Sequence, residues 1–210
     1  MDRESVAPRA VEFLAREYPD ARCELDFRSP WELLVATVLS AQSTDVRVNA
    51  VTPELFARWP RPADLAAASQ EEVEAVIRSA GMFRNKARLL RATARVLEDE
   101  YDGEVPAEID ALVALPGVGR KTAKVVLGEG FGIAAGITVD THVRRLARRL
   151  GLTRFEDPER IAAELEGLLP REDWIRFATR LILHGRRVCS ARNPRCEDCA
   201  LSEICPRVGL

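Results

Sequence analysis

A lysine follows a glycine-containing turn in the segment LPGVGRKTAKVVL, residues 115–127. Lys121 lies two residues after Gly119, in the first turn of a helix predicted over residues 120–129. The positive end of a helix dipole disfavours a cation, so this position suits an anionic partner or an amine that loses its proton readily. Gly117 and Gly119 leave main-chain amide groups uncovered, and with the unpaired N–H groups of the helix start these can bind a phosphate. The segment therefore predicts a phosphate-binding turn, a reactive lysine, or both.

The helix after this turn has two different faces. Ala123, Val126 and Leu127 follow i, i+3, i+4 spacing, which predicts that they face the core. Lys121 and Lys124 are then predicted on the opposite, exposed face. One alternative is a helix-hairpin-helix that only binds a DNA backbone, in which Lys121 is a phosphate contact. The turn alone does not distinguish this role from catalysis.

A second cluster of polar residues occupies ITVDTHVRRLARRL, residues 137–150. Asp140 or Thr141 can cap the helix that follows. An apolar stripe on this helix leaves four arginines on the side predicted to face solvent, namely Arg144, Arg145, Arg148 and Arg149. Asp140 has a catalytic role only if the fold brings its carboxylate near Lys121, and sequence spacing does not show this.

The chain contains two histidines, and both have structural as well as functional interpretations. His142 follows Asp140 by two residues, where it can orient that carboxylate or contact a phosphate. His184 precedes Gly185 at the end of a predicted helix. We expect His184 to contact the last carbonyl groups of that helix.

Four of the five cysteines crowd into the last 22 residues with the spacing Cys-x6-Cys-x2-Cys-x5-Cys, at Cys189, Cys196, Cys199 and Cys205. In a reducing compartment such a cluster indicates a metal site rather than two disulfides. Four thiolates can hold either zinc or an iron–sulfur cluster, and the spacing leaves both open. Arg192 and Arg195 make the loop between the first two cysteines basic, which suits contact with phosphate. Cys23 stands alone.

Helical periodicity dominates the rest of the sequence, and the pattern predicts a compact all-α protein. The predicted helices are 6–19, 29–42, 44–58, 62–68, 70–79, 84–101, 107–114, 120–129, 141–150, 158–168 and 171–184. No apolar run is long enough for a membrane span, and the N-terminal residues lack the apolar core of a secretory signal. We therefore expect an intracellular protein.

Charge is unevenly distributed along the chain, although the formal net charge is only −2. Residues 1–135 hold 17 Lys and Arg against 22 Asp and Glu, whereas residues 136–210 hold 14 against 11. Association with a polyanion depends on the local potential, so weak overall acidity does not exclude nucleic acid as a partner.

In combination these features resemble endonuclease III, a family of bacterial base-excision DNA glycosylases. The resemblance lies in LPGVGRKTA, VDTH and the cysteine spacing, with SAQSTD at 40–45 and GMFRNKA at 81–87. It runs along nearly the whole chain in the family's order.

The resemblance implies two helical domains with a DNA-binding cleft between them. One is a six-helix domain over 23–133, with its helix-hairpin-helix at about 107–129. The other combines 1–22 with 134–210 and carries a 4Fe–4S cluster. The implied function is a bifunctional glycosylase and AP lyase that removes oxidised pyrimidines from double-stranded DNA and cuts the strand by β-elimination. We expect a monomer in the cytoplasm, associated with the nucleoid.

The resemblance also implies roles for individual residues. Lys121 takes the place of the nucleophile and Asp140 that of the catalytic carboxylate, while the four clustered cysteines take the cluster positions. Gln42 is expected to fill the gap left by the damaged nucleotide. Met82 stands where the family inserts an apolar side chain, often leucine. The implied DNA contacts also include Gly117, Gly119, His142, Arg192 and Arg195.

Two departures and two alternatives accompany this interpretation. Methionine at position 82 leaves the lesion preference open, and Val113 stands where some relatives carry an acidic residue near the lysine. Monofunctional mismatch glycosylases share the implied fold but lack a lysine at this turn, so Lys121 favours the bifunctional enzyme. A non-catalytic helix-hairpin-helix DNA-binding protein is the other alternative.

Overall fold

The computed structural model of the chain describes residues 2–210. The chain divides into two compact units. One unit is continuous and spans Cys23–Ile133, and the other combines the N-terminal residues up to Arg22 with Ala134–Leu210. Helices account for all the regular secondary structure in residues 2–210, which confirms the predicted all-α class.

The continuous unit contains seven α-helices: α2 Pro30–Ser40, α3 Asp45–Arg58, α4 Pro62–Ala67, α5 Gln70–Val76, α6 Phe83–Tyr101, α7 Ile109–Ala114 and α8 Arg120–Val125. A 3-10 turn, Arg78–Ala80, precedes α6, and α8 runs on into a π-helical turn at Val126–Gly130. The other unit contains α1 Arg3–Glu17, α9 Thr141–Arg149, α10 Pro158–Leu168 and α11 Trp174–Arg187, with a 3-10 turn at Arg171–Asp173.

Side-chain caps explain where several helices begin. Asp2 accepts a hydrogen bond from the Ser5 amide at 2.8 Å, so α1 starts three residues earlier than its apolar pattern predicted. Ser29 caps α2, and Pro30 occupies the first helical position, where its missing N–H costs nothing. Ser69 and Glu72 form a reciprocal capping box on α5.

Each unit has its own apolar core. In the continuous unit, α6 packs against α4 and α5, and α2 packs against α3, α6 and α8. Its buried side chains include Leu33, Leu34, Leu39, Leu55, Leu65, Ile77, Leu90 and Leu97. In the second unit, α11 packs against α9 and α1 around Leu14, Leu146, Phe177 and Leu181. Among the described helices, none combines the length and the apolar composition that a membrane span requires.

Candidate active site

The turn before Lys121 joins α7 to α8 and is fixed to α6. The Val118 amide donates to the Leu115 carbonyl at 3.1 Å, and the Thr93 hydroxyl of α6 donates to the Pro116 carbonyl at 2.7 Å. Gly117 has a φ of +77°, and a Cβ there would lie 3.0 Å from the Leu89 side chain. Glycine is therefore required at 117 by both its backbone angle and its contact.

Gly119 is the N-cap of α8, and the space around it is open. A Cβ at this residue would meet nothing within 4 Å. The first N–H groups of α8 have no partner inside their own helix, so the turn and the helix start present donors on an uncovered surface. The geometry leaves room for a phosphate here, and the phosphate contact at Gly117 and Gly119 stays a prediction.

Lys121 is the second residue of α8, and its side chain is exposed. The sequence has only three lysines against 28 arginines, and the other two, Lys86 and Lys124, are 2% and 9% exposed. Arginine stays protonated in proteins, so a reactive side-chain amine has to come from a lysine. Lys121 is the lysine whose amine a substrate can reach from solvent.

The predicted exposure of Lys124 is wrong. Both α2 and α7 pack against α8, so this short helix is covered on more than its apolar stripe. Lys124 is buried as a result, and Lys121, one turn earlier, keeps its exposure.

Asp140 caps α9, in the unit that combines the N-terminal residues with Ala134–Leu210. Its Oδ1 accepts hydrogen bonds from the amides of His142 and Val143, both at 2.8 Å. The side chain is half-buried. Since both bonds end on one oxygen, the second carboxylate oxygen keeps its lone pairs for another partner.

His142 packs between α9 and α11. Its Nδ1 lies 3.1 Å from an Arg145 guanidinium nitrogen, and a Cβ on Gly185 would lie 2.9 Å from that Nδ1. Burial lowers the pKa of His142, against the opposing charge of Asp140. The ring thus fits a helix–helix contact, while its predicted DNA contact stays a prediction.

Gln42 and Met82 share an uncommon backbone conformation. Their φ angles are +54° and +46°, and both side chains are exposed, Met82 at 47%. Gln42 follows the end of α2, and Met82 precedes the first residue of α6. Left-handed residues other than glycine are strained and concentrate at functional sites. The two residues predicted to enter DNA therefore carry strain in the same unit.

The four clustered cysteines line one cavity, together with Arg149 and Arg195. As the side chains stand, no set of three or more His, Cys, Asp or Glu residues within 2–210 is grouped tightly enough to hold a metal ion. Burial raises the pKa of the Cys199 and Cys205 thiols, and the neighbouring cysteines raise it further. Thiolates here would need a cation to offset that cost. Four thiols around one cavity are the donors that a thiolate-bound metal group uses.

One half-buried and one buried arginine hold the chain around the first clustered cysteine. Arg145 donates to the carbonyls of Gly185 and Cys189, at 2.8 and 2.9 Å. Arg149 is 6% exposed, lies 3.2 Å from the Cys189 Sγ and donates to the Ser190 carbonyl at 2.7 Å. The prediction that these two arginines face solvent is wrong, because main-chain carbonyls some 40 residues later in the chain bind them.

The prediction for His184 is also wrong. Instead of contacting carbonyls at the end of α11, the buried ring lies 3.0 Å from the Tyr18 hydroxyl through Nδ1. Its Nε2 lies 3.2 Å from the Cys199 Sγ. Burial lowers the pKa of His184 to about 4. Arg192 and Arg195 are exposed, and the Arg195 guanidinium also donates to the Arg187 carbonyl. Their predicted DNA contact stays a prediction.

Comparison with known proteins identifies relatives along nearly the whole chain. Residues 35–171 match the family of HhH-GPD superfamily base excision DNA repair proteins. Endonuclease III of Synechocystis sp. is 52% identical over 201 residues, which cover 94% of this chain and 92% of that protein. The chain belongs to the endonuclease III family.

Two solved structures of endonuclease III extend the match to the fold. A non-covalent endonuclease III–DNA complex aligns with a TM-score of 0.92 and 44% identity, covering 99% of this chain and 96% of that one. A trapped covalent endonuclease III–DNA intermediate aligns with a TM-score of 0.92 and 43% identity, covering 99% and 97%. The predicted class of activity is confirmed: the protein is a DNA glycosylase with AP lyase activity in base excision repair.

Backbone strain at Met82 gives a first testable prediction. The left-handed conformation costs a non-glycine residue about 1–2 kcal/mol in the folded state. Glycine removes this strain, but its greater backbone freedom in the unfolded chain cancels roughly 0.5–1 kcal/mol of the gain. Met82→Gly should therefore raise the free energy of unfolding in urea. It should also slow cleavage of damaged duplex if Met82 has its predicted role, since the side chain predicted to insert is lost.

Asp102→Gly is the matched control, because Asp102 is the C-cap of α6 and has a φ of +52°. It should gain less stability, since aspartate tolerates this conformation better, and should leave cleavage unchanged. Unchanged cleavage by Met82→Gly would contradict the role of Met82.

Proposed function

We propose that this endonuclease III family member excises oxidised or ring-damaged pyrimidines from double-stranded DNA and then cleaves the strand at the abasic site. The observation that carries the proposal is the exposure of Lys121 at the start of α8, while Lys86 and Lys124 are buried. A covalent intermediate with DNA has been trapped for a related endonuclease III, which supports an amine nucleophile here.

In the proposed first step, the neutral Lys121 amine attacks C1′ of the deoxyribose. The bond between C1′ and the base breaks, and the base leaves with the electron pair and takes up a proton. The sugar ring then opens as the C1′–O4′ bond breaks, O4′ is protonated, and a protonated Schiff base joins Lys121 to C1′. The nucleophile in this step is the exposed amine of Lys121, since a primary amine is the side-chain group that forms a Schiff base with a sugar carbon.

In the proposed second step, the iminium makes the C2′ hydrogen acidic. Removal of that proton forms the C2′–C3′ double bond, and the 3′ phosphate leaves with the electrons of the C3′–O bond. Hydrolysis of the Schiff base releases Lys121. Base loss and strand cleavage thus use the same covalent bond, which a monofunctional glycosylase would not form.

We propose that Asp140 takes the proton from Lys121 and stabilises the positive charge that develops on the sugar as the base leaves. Its Oδ1 is committed to capping α9, and its other oxygen supplies the acceptor. Lys121 and Asp140 belong to different units, and their joint action is part of this proposal.

A base stacked in duplex DNA shields its sugar carbon, so the nucleotide must first be extruded, at a cost of a few kcal/mol that is least for a damaged base. We propose that Gln42 and Met82 fill the resulting gap. The amides at Gly117 and Gly119 then hold the adjacent backbone without reading its sequence. His142, Arg192 and Arg195 are the further proposed DNA contacts.

We propose that Cys189, Cys196, Cys199 and Cys205 hold a 4Fe–4S cluster. Four thiol side chains around one cavity suit such a group. When bound, it cross-links the C-terminal tail, and the exposed Arg192 and Arg195 are then presented on an ordered loop. The proposed setting is the bacterial cytoplasm, where a monomer acts on nucleoid DNA.

Borohydride trapping tests the role of Lys121, because reduction of the Schiff base yields a stable protein–DNA adduct. Wild-type protein and a duplex containing an oxidised pyrimidine should give the adduct, and Lys121→Arg should give none. Arginine keeps the charge but not a reactive amine, so the variant should still bind the duplex. An adduct with Lys121→Arg would disprove the assignment.

Asp140→Asn separates the two functions of Asp140. Asparagine caps helices about as well as aspartate, so the melting temperature should stay nearly unchanged. Single-turnover base release should fall roughly 100- to 10,000-fold, the usual contribution of a positioned acid or base. Base release at the wild-type rate would restrict Asp140 to capping.

The cysteine assignment is tested by replacing one clustered and one isolated cysteine. Cys199→Ser should lose iron, sulfide and visible absorbance, whereas Cys23→Ser should keep all three, since Cys23 lies in the other unit. Iron analysis and absorbance spectra of the purified proteins measure this. A colourless wild-type protein that contains zinc would contradict the cluster.

A further inference from the structure

Lys86 is a buried lysine whose amine holds two helix ends. It lies in the first turn of α6 and is 2% exposed. Its Nζ donates to the Leu39 carbonyl at 2.7 Å and to the Ala80 carbonyl at 2.8 Å. Burial lowers the pKa of Lys86, but even a neutral amine carries enough N–H groups for both bonds.

Both acceptor carbonyls lie where helices end. Leu39 is the penultimate residue of α2, and Ala80 is the last residue of the 3-10 turn. Carbonyl groups in the last turn of a helix lack a partner within the helix and carry partial negative charge. The amine of Lys86 therefore satisfies an orphan acceptor from each of two separate segments.

These two segments lead directly to the strained residues. Gln42 follows Leu39 by three residues, and Met82 follows Ala80 by two. The main-chain amide of Lys86 also donates to the Met82 carbonyl at 3.0 Å. A left-handed non-glycine residue persists only where its surroundings fix it, and Lys86 restrains the chain on the approach to both.

We propose that Lys86 is a positioning residue that fixes the spacing of Gln42 and Met82, so that the two side chains enter a damaged duplex as one unit. The inference rests on the proposed function, since it concerns insertion into the same DNA. Lys86 itself is too deeply buried to touch the DNA, and it acts through the two main-chain segments that it joins.

Binding to a duplex that contains tetrahydrofuran, a stable analogue of an abasic site, tests this inference. A 2-aminopurine next to the analogue reports by its fluorescence how the neighbouring base is unstacked on binding. Lys86→Met keeps the length of the side chain but removes its donors. It should lower the preference for the abasic duplex over undamaged duplex roughly 10-fold, which corresponds to a loss of about 1.4 kcal/mol in binding. The rise in 2-aminopurine fluorescence on binding should fall in parallel, and Lys86→Arg should restore part of both.

Leu97→Ala is the control for lost stability, because Leu97 is fully buried in the same helix but far along it from Met82. It should lower the melting temperature and leave the preference and the fluorescence unchanged. An equal loss in Leu97→Ala, or none in Lys86→Met, overturns the inference. If Lys86→Met does not fold, Lys86→Gln replaces it under the same criteria.

A double-mutant cycle tests the proposed coupling directly. In wild-type protein, Gln42→Ala and Met82→Ala should affect abasic binding non-additively, and in Lys86→Met they should become additive. Additivity in wild type would also overturn the inference. Failure of the proposed function would look different, because wild-type protein would then show neither a preference for the abasic duplex nor a borohydride adduct.

Discussion

Basic side chains that donate to main-chain carbonyls hold the segments next to the proposed functional residues, and two of them, Lys86 and Arg149, are buried. Lys86 joins the ends of two helical segments in the continuous unit. In the other unit, Arg145 and Arg149 fix the chain around Cys189 by the same kind of bond. A buried cation without partners would be very costly, so these carbonyls and these side chains depend on each other. Helix ends, which otherwise leave acceptors unsatisfied, thereby become fixed points for loops.

Lys121 is the contrasting case, a lysine left exposed in a protein that otherwise relies on arginine for its positive charge. Its neighbours explain the exposure: Gly117 allows a tight turn, Gly119 leaves open space, and α8 begins at once. An arginine could bind phosphate at this place but could not form a Schiff base. The choice of lysine at this one exposed position is therefore the chemical basis of the proposed lyase step.

Sequence patterns predicted the all-α class, most helix positions and the exposure of Lys121, because these depend on local periodicity, capping and turns. Burial of Lys124 and Arg149 and the contacts of His184 were not predictable in the same way. Each depends on residues brought together from distant parts of the chain, as when Tyr18 meets His184. The strain at Met82 had no local signal either, since methionine does not favour a left-handed backbone.

Mapping the covalent bond tests the central claim most directly. After borohydride reduction of the complex with an abasic duplex, nuclease and tryptic digestion followed by mass spectrometry locates the sugar remnant on one peptide. The account predicts the added mass on Lys121, in the peptide that follows Arg120. A remnant on Lys86, Lys124 or any other amine would contradict it.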